Sequence, residues 1–230
     1  MIYYGPITPK ELEGLKTYDM VIIEPQQITI EQVLELQNAG TIVMGYLSLL
    51  ESPEWNKKRM AAVVKWDFYL YKGKRIHLSE WDSYIMDIRN EHYIDIVMAE
   101  IGDQIGGKNM NGIFIDTVGD IEDYVIDTID ANQMLGSYLD LLQKIKAIYP
   151  ELYLIQNRGF YVVEWSAPYL DGFLWENWQP QKAYFKKLKA TGLQLFSVTC
   201  DSFSTKINNS KPKGFIHLSR FGDYSEWPDD

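Results

Sequence analysis

The chain has 230 residues, 46% of them hydrophobic and 23% charged, with a net charge of -10 at pH 7. Such a chain can bury a sizeable core as one α/β barrel or two small domains, and its composition excludes wholesale disorder. Its acidity argues against nucleic acid, whose phosphates need a basic footprint, and suits a cationic partner.

Met1-Ile2-Tyr3-Tyr4 reads as a first strand rather than a leader, which implies either a cytosolic protein or an export signal already removed. Thr8-Pro9-Lys10-Glu11 opens a helix with a capping box: the threonine serves orphan amides and the glutamate reaches back. Met20 to Ile23 is a buried second strand ending in Glu24-Pro25. Thr29 and Gln32 form another box, and Gly40 stops the second helix. Thr41 to Leu47 is the third strand, with Glu51 just beyond it.

From Ser52 to Asn90 the alternation breaks, and Trp55, Trp66 and Trp81 are spread through a long connection in which Tyr84 to Asp87 can pair as a short extra strand. An insertion of this length in a compact domain is more often functional than idle. Asn90 caps the next helix, which Gly106-Gly107 should end. The fourth strand is Asn111 to Asp116, three apolar residues introduced by a glycine and closed by a carboxylate. Asp130 to Tyr149 is a long amphipathic helix, and Leu152 to Gln156 the fifth strand, ending in Asn157-Arg158-Gly159.

A short helix holding Val162 and Trp165 leads to the sixth strand, Gly172 to Trp175, which ends in Glu176 and repeats the design of the fourth. Gln181 to Ala190 is helical, Leu193 to Val198 the seventh strand and Phe215 to Leu218 the eighth, followed by Ser219-Arg220 and a short tail with Trp227. Eight buried strands alternating with helices predict one (β/α)8 barrel over residues 1–230, with an insertion after the third strand and a reduced final helix. An open doubly wound sheet is the alternative.

A barrel of this kind gathers its strand exits at one mouth. Those exits carry Tyr4, Glu24, Glu51, Asp116, Asn157 with Arg158, Glu176 and Arg220. One acidic residue after a strand is ordinarily a cap or a turn. Several exits loaded together predict a polar pocket, and two strand-end carboxylates, Asp116 and Glu176, are the minimum equipment for glycoside hydrolysis. The tryptophans of the insertion, Trp81 among them, and Trp178 beside Glu176 supply rings that sugars stack on. The lone Cys200 gives no disulfide framework, and His77, His92 and His217 share no metal spacing, so no metal or cofactor is expected. No apolar run approaches the ~20 residues of a membrane span. No G-x-S-x-G elbow is present.

Glu24-Pro25, Gly45-Tyr46-Leu47-Ser48 with Glu51, the Trp81 to Asn90 segment with Asp87-Ile88-Arg89, Gly112 to Thr117, and Asp171-Gly172 leading to Glu176 resemble the barrel hydrolases typified by endo-α-1,4-polygalactosaminidase. The likeness runs through nearly the whole chain. It implies a monomeric glycosidase, secreted or at the cell surface, acting on α-1,4-linked galactosamine-containing polysaccharide. It also implies that Asp116 and Glu176 are the catalytic pair, with Tyr46, Trp81 and Asp87 among the substrate contacts. The chain departs from the family pattern at Asn111, where an aspartate is usual, at Gly119, where a second aspartate is common, and at Leu50 in the Ser48 to Glu51 turn.

In the retaining scheme this suggests, Asp116 is the nucleophile and Glu176, raised by apolar neighbours such as Trp175, is the acid. An inverting scheme with the same pair, a barrel that only binds polysaccharide, and a barrel enzyme on another sugar or a small phosphorylated one are the competing readings.

Overall fold

The computed structural model describes residues 1–177, 182–200, 214–220 and 223–227. The eight strands are Ile2–Tyr3, Met20–Ile23, Ile42–Ser48, Gly112–Asp116, Tyr153–Asn157, Gly172–Glu176, Gln194–Cys200 and Ile216–Arg220. Each pairs in parallel with the next in chain order, forming one sheet.

Side chains alternate between the two faces of a strand. On one face Ile2, Ile22, Met44, Phe114, Ile155, Leu174 and Val198, one from each of the first seven strands, meet in a single buried cluster with Leu218 of the eighth packed against it. A flat sheet cannot bring its first and last strands to one cluster, so the sheet curls around this inner core as a TIM barrel does. On the other face Ile23, Val43, Ile113, Ile115 and Leu154 join a larger core with helix residues such as Val33, Leu36, Val97, Leu142 and Ile145. Burying each such side chain is worth roughly 1.5–3 kcal/mol, so both faces are fixed and a one-residue slip of any strand is strongly opposed.

The register is also pinned from below. Asn111 Oδ1 accepts from the Val43 amide at 2.8 Å, and Asp171 Oδ2 accepts from the Leu154 amide at 2.9 Å, each satisfying a neighbouring strand. At Gly112 a Cβ would lie 2.2 Å from the Tyr153 carbonyl oxygen and 2.6 Å from Met44 Cε, which explains the glycine that introduces the fourth strand.

Both capping boxes form, Thr8 with Glu11 ahead of helix Pro9–Leu15 and Thr29 with Gln32 ahead of Ile30–Asn38. Two helix boundaries differ from expectation. The helix capped by Asn90 is α-helical only over Glu91–Glu100, then widens to a π turn over Ile101–Ile105 and tightens over Gly106–Lys108. Gly102 and Gly106, weak helix formers, lie against Tyr149 there with little room for a side chain. The long helix starts at Thr128, because Asp127 accepts from the Ile129 and Asp130 amides and so serves as the cap.

Between the third and fourth strands the chain builds a small antiparallel sheet, Glu51–Pro53 against Ser83–Ile85 and that against His77–Leu78, and a hairpin, Leu70–Tyr71 with Lys74–Arg75. Buried Arg59 ties this sheet to the barrel, donating to the Ser48 and Glu51 carbonyls at 2.6 and 3.1 Å and to Glu100 at 2.8 Å. No described helix is long and apolar enough to cross a membrane.

Candidate active site

The alternation that builds the inner core also aims the site. Tyr4, Glu24, Tyr46, Asp116, Asn157 and Glu176 each stand two residues beyond an inner-core side chain (Ile2, Ile22, Met44, Phe114, Ile155 and Leu174), so all six point inward at the C-terminal mouth. They line one cleft of about 740 Å³ together with Glu51, Arg158, Trp55 and Trp81.

At its floor, Asp116 Oδ1 accepts from Asn157 Nδ2 at 2.8 Å and Asp116 Oδ2 accepts from the Tyr46 hydroxyl at 2.9 Å. The same Asn157 nitrogen donates to Glu176 Oε2 at 2.9 Å. The two bridged oxygens are therefore no more than about 5.7 Å apart, the sum of the two bonds, and roughly 5 Å if the amide hydrogens diverge at 120°. Burial, and after it the Asp116 charge, raises the Glu176 carboxyl above its usual range, partly offset by the hydrogen bond from Asn157. Trp175 faces the other way, in an outer cluster with Phe160, Phe173 and Leu188, because it has the opposite strand parity to Glu176.

The residue after each of these three side chains is left-handed: Thr117 at φ 65°, Arg158 at 52° and Asn177 at 51°. Thr117 also accepts from the Leu49 and Leu50 amides at 3.0 and 2.8 Å and donates to the Asp116 carbonyl at 2.7 Å, locking the third strand's exit to the fourth's.

A second acidic group forms one wall. Ser83 donates to Glu51 Oε2, and Asp120 lies beside Glu51. Burial, then the Glu51 charge, pushes Asp120 up to about 9, so it is protonated at neutral pH. Its Oδ2 is buried without a hydrogen-bond partner among the described residues. Burial also raises Glu24 to about 7. In all, the described lining carries the carboxylates Glu24, Glu51, Asp116, Asp120, Asp123, Glu176 and Asp223 against one cation, Arg158.

Trp55 and Trp81, 52% and 62% exposed, stand on the insertion at the rim, where a sugar ring can stack. Asp87 does not belong here: both of its oxygens are held by Arg89, at 2.8 and 2.7 Å, and Arg89 also reaches Asp130, so the aspartate is a brace within the insertion. Trp178 lies outside the described residues, as does the side chain of Arg220, whose backbone pairs with Cys200. Sequence reasoning missed Asp120 and Tyr224. Asp120, four residues after Asp116, was detectable as a second carboxylate behind the same strand; Tyr224, in the tail, carried no signal.

Residues 3–212 match the model of glycoside-hydrolase family GH114. Among solved structures, the glycoside hydrolase domain of PelA from Pseudomonas aeruginosa has a TM-score of 0.82 at 16% identity, covering 99% of this chain and 96% of that one. Ega3 from Aspergillus fumigatus, solved in complex with galactosamine, has a TM-score of 0.73 at 12% identity, with coverage of 98% and 90%. A cycloisomaltooligosaccharide glucanotransferase from Paenibacillus sp. follows at 0.60 and 10%, covering 90% of this chain and 39% of that one. At these identities the structural likeness speaks to the fold. Among curated proteins none is similar enough in sequence to count as a relative.

Proposed function

Because the chain belongs to glycoside-hydrolase family GH114, we propose that it cleaves α-1,4-linked galactosamine-containing polysaccharide on a closed (β/α)8 barrel, with retention of configuration. The observation that carries this reading is the single amide nitrogen of Asn157 bonded to both Asp116 and Glu176. Two bridged oxygens held within about 5.7 Å of each other suit the ~5–5.5 Å of retaining pairs and are short of the ~6.5–9.5 Å that leaves room for an inverting water.

Asp116 attacks the anomeric carbon as the glycosidic C–O bond breaks, and the Glu176 proton passes to the leaving oxygen. The sugar is then an ester of Asp116. Glu176, now a carboxylate, takes a proton from water, whose oxygen displaces Asp116 and completes hydrolysis. The raised Glu176 carboxyl supports the acid role, since a group ionised at working pH has no proton to give. The Tyr46 and Asn157 donors hold Asp116 in a fixed rotamer for attack.

Even with Asp120 and Glu176 protonated, the lining's carboxylates outnumber Arg158, which favours a polymer bearing free, protonated amines over a fully acetylated one. A polymeric substrate goes with work outside the cell or at its surface.

The test is incubation with partly deacetylated polygalactosamine and mass spectrometry of the released oligosaccharides. Asp116→Asn should release none while still binding the polymer. Glu176→Gln should be as slow on the polymer yet recover its first step on an aryl glycoside that needs no acid, and respond to azide. Azide rescue of Asp116→Asn with inverted product, or full activity of either variant, would remove the assignment.

A further inference from the structure

Asn157 makes contacts that neither a substrate-binding residue nor a packing residue requires. It is 3% exposed, it ends the fifth strand, and, two residues beyond the inner-core Ile155, its side chain is aimed into the mouth. A primary amide has two N–H groups on one nitrogen, fixed about 120° apart in a plane. Here one goes to Asp116 and one to Glu176, at 2.8 and 2.9 Å.

Two like charges this close cannot both be held cheaply, and the retaining cycle never asks for both at once. Before the first step Asp116 is the anion and Glu176 carries a proton; in the ester intermediate Asp116 has lost its charge and Glu176 is the anion. A donor pair touching both oxygens stabilises whichever group is charged, without moving.

We propose that Asn157 is the positioning residue of the pair, setting the spacing of Asp116 and Glu176 and supporting the negative charge as it passes from one to the other. This rests on the catalytic reading above and adds to it a role for a residue that touches both reacting groups. The asparagine Oδ1 is buried without a partner among the described residues and is not needed for this role.

The experiment compares wild type with Asn157→Ala and the isosteric Asn157→Asp on the polymer, with kcat, KM, the pH dependence of kcat/KM and the product anomer followed by NMR. A misplacement of about 1 Å in a catalytic group costs on the order of 10²-fold, so Asn157→Ala should lose roughly that in kcat with KM changed less than about threefold. The alkaline limb of its pH profile should move upward, because Glu176 loses a bond to its charged form. Asn157→Asp keeps the shape and replaces both donors with a third carboxylate, so at neutral pH it should be at least as slow while melting as a folded protein. Loss confined to KM with unmoved limbs would make Asn157 a substrate contact only and overturn the proposal, as would wild-type kcat in either variant. Wild type that releases no product from any galactosamine polymer would remove the catalytic reading and this role together, whereas an active wild type with an undiminished Asn157→Ala removes this role alone.

Discussion

The Tyr46 hydroxyl donates to Asp116 Oδ2 at 2.9 Å across the seam between the third and fourth strands, where Ser48 and Asp116 are register partners. Hydrogen bonds to a charged group are worth roughly 1.5–3 kcal/mol, about tenfold to a hundredfold in rate if the bond is made in the transition state. Tyr46→Phe should therefore lower kcat/KM by at least about tenfold with little change in melting temperature, since the ring still packs on Tyr4 at 4.6 Å between centroids. Steady-state kinetics with unaltered constants would show that the nucleophile is held by Asn157 alone.

Asp120 makes stability depend on pH in a definite direction. Its carboxyl is raised from 3.8 to about 9 in the folded chain, chiefly by burial. Below about pH 4 both states hold the proton and nothing is lost; as pH rises, the unfolded chain ionises first, and stability falls progressively until the folded group also ionises near pH 9. Asp120→Asn is neutral throughout and should flatten this decline. A relief on the order of 1 kcal/mol would raise Tm at pH 7 by about 2–4 °C, with no gain at pH 4. Calorimetry giving parallel slopes for the two proteins would sink the idea.

Glu24, raised to about 7 by burial, should make binding of a cationic polymer sensitive to pH just below neutrality. Between about pH 5.5 and 7 the side chain gains charge while sugar amines stay protonated, so affinity for deacetylated polymer should rise and that for the acetylated form should not. Glu24→Gln should remove the difference in a calorimetric titration; a persistent pH dependence would assign it to another group.

Replacing Trp55 or Trp81 by alanine should weaken oligosaccharide binding by about 0.5–1.5 kcal/mol each, the usual worth of an aromatic contact beyond its area. Both rings are more than half exposed, so Tm should hold. A fall in Tm with unchanged affinity would mean that the ring supports the insertion instead.

The strands were legible because an apolar run between a glycine and a polar exit has few other readings: Gly112–Asp116 and Gly172–Glu176 begin and end within a residue of expectation. Legibility failed where one residue type serves two purposes. Asp120 follows Asp116 by four residues, but it lies in the first turn of a short helix, where acidic residues are ordinary dipole partners, and the tertiary approach of Glu51 is what sets it in the wall of the cleft. Asp87 reads as a pocket carboxylate until Arg89, two residues on, is seen to occupy it. Trp175 is next to Glu176 in the chain, yet period-two alternation places its ring on the opposite face. Trp55 and Trp81 sit in irregular chain, where ring position follows from pairing of Glu51–Pro53 with Ser83–Ile85 rather than from any local pattern.

The left-handed residues Thr117, Arg158 and Asn177 set a conflict between endurance and turnover. Non-glycine residues in that conformation cost on the order of 1 kcal/mol, most for a β-branched one such as threonine, and glycine would relieve the cost at each site. A library selected for heat resistance should thus collect glycines at positions 158 and 177 early, each slackening the backbone immediately behind Asn157 or Glu176, but not at position 117, where glycine would delete the hydroxyl that staples the buried Leu49 and Leu50 amides. Survivors of such a selection should be hardier and slower catalysts, and mutations that restore speed should return a side chain to those turns.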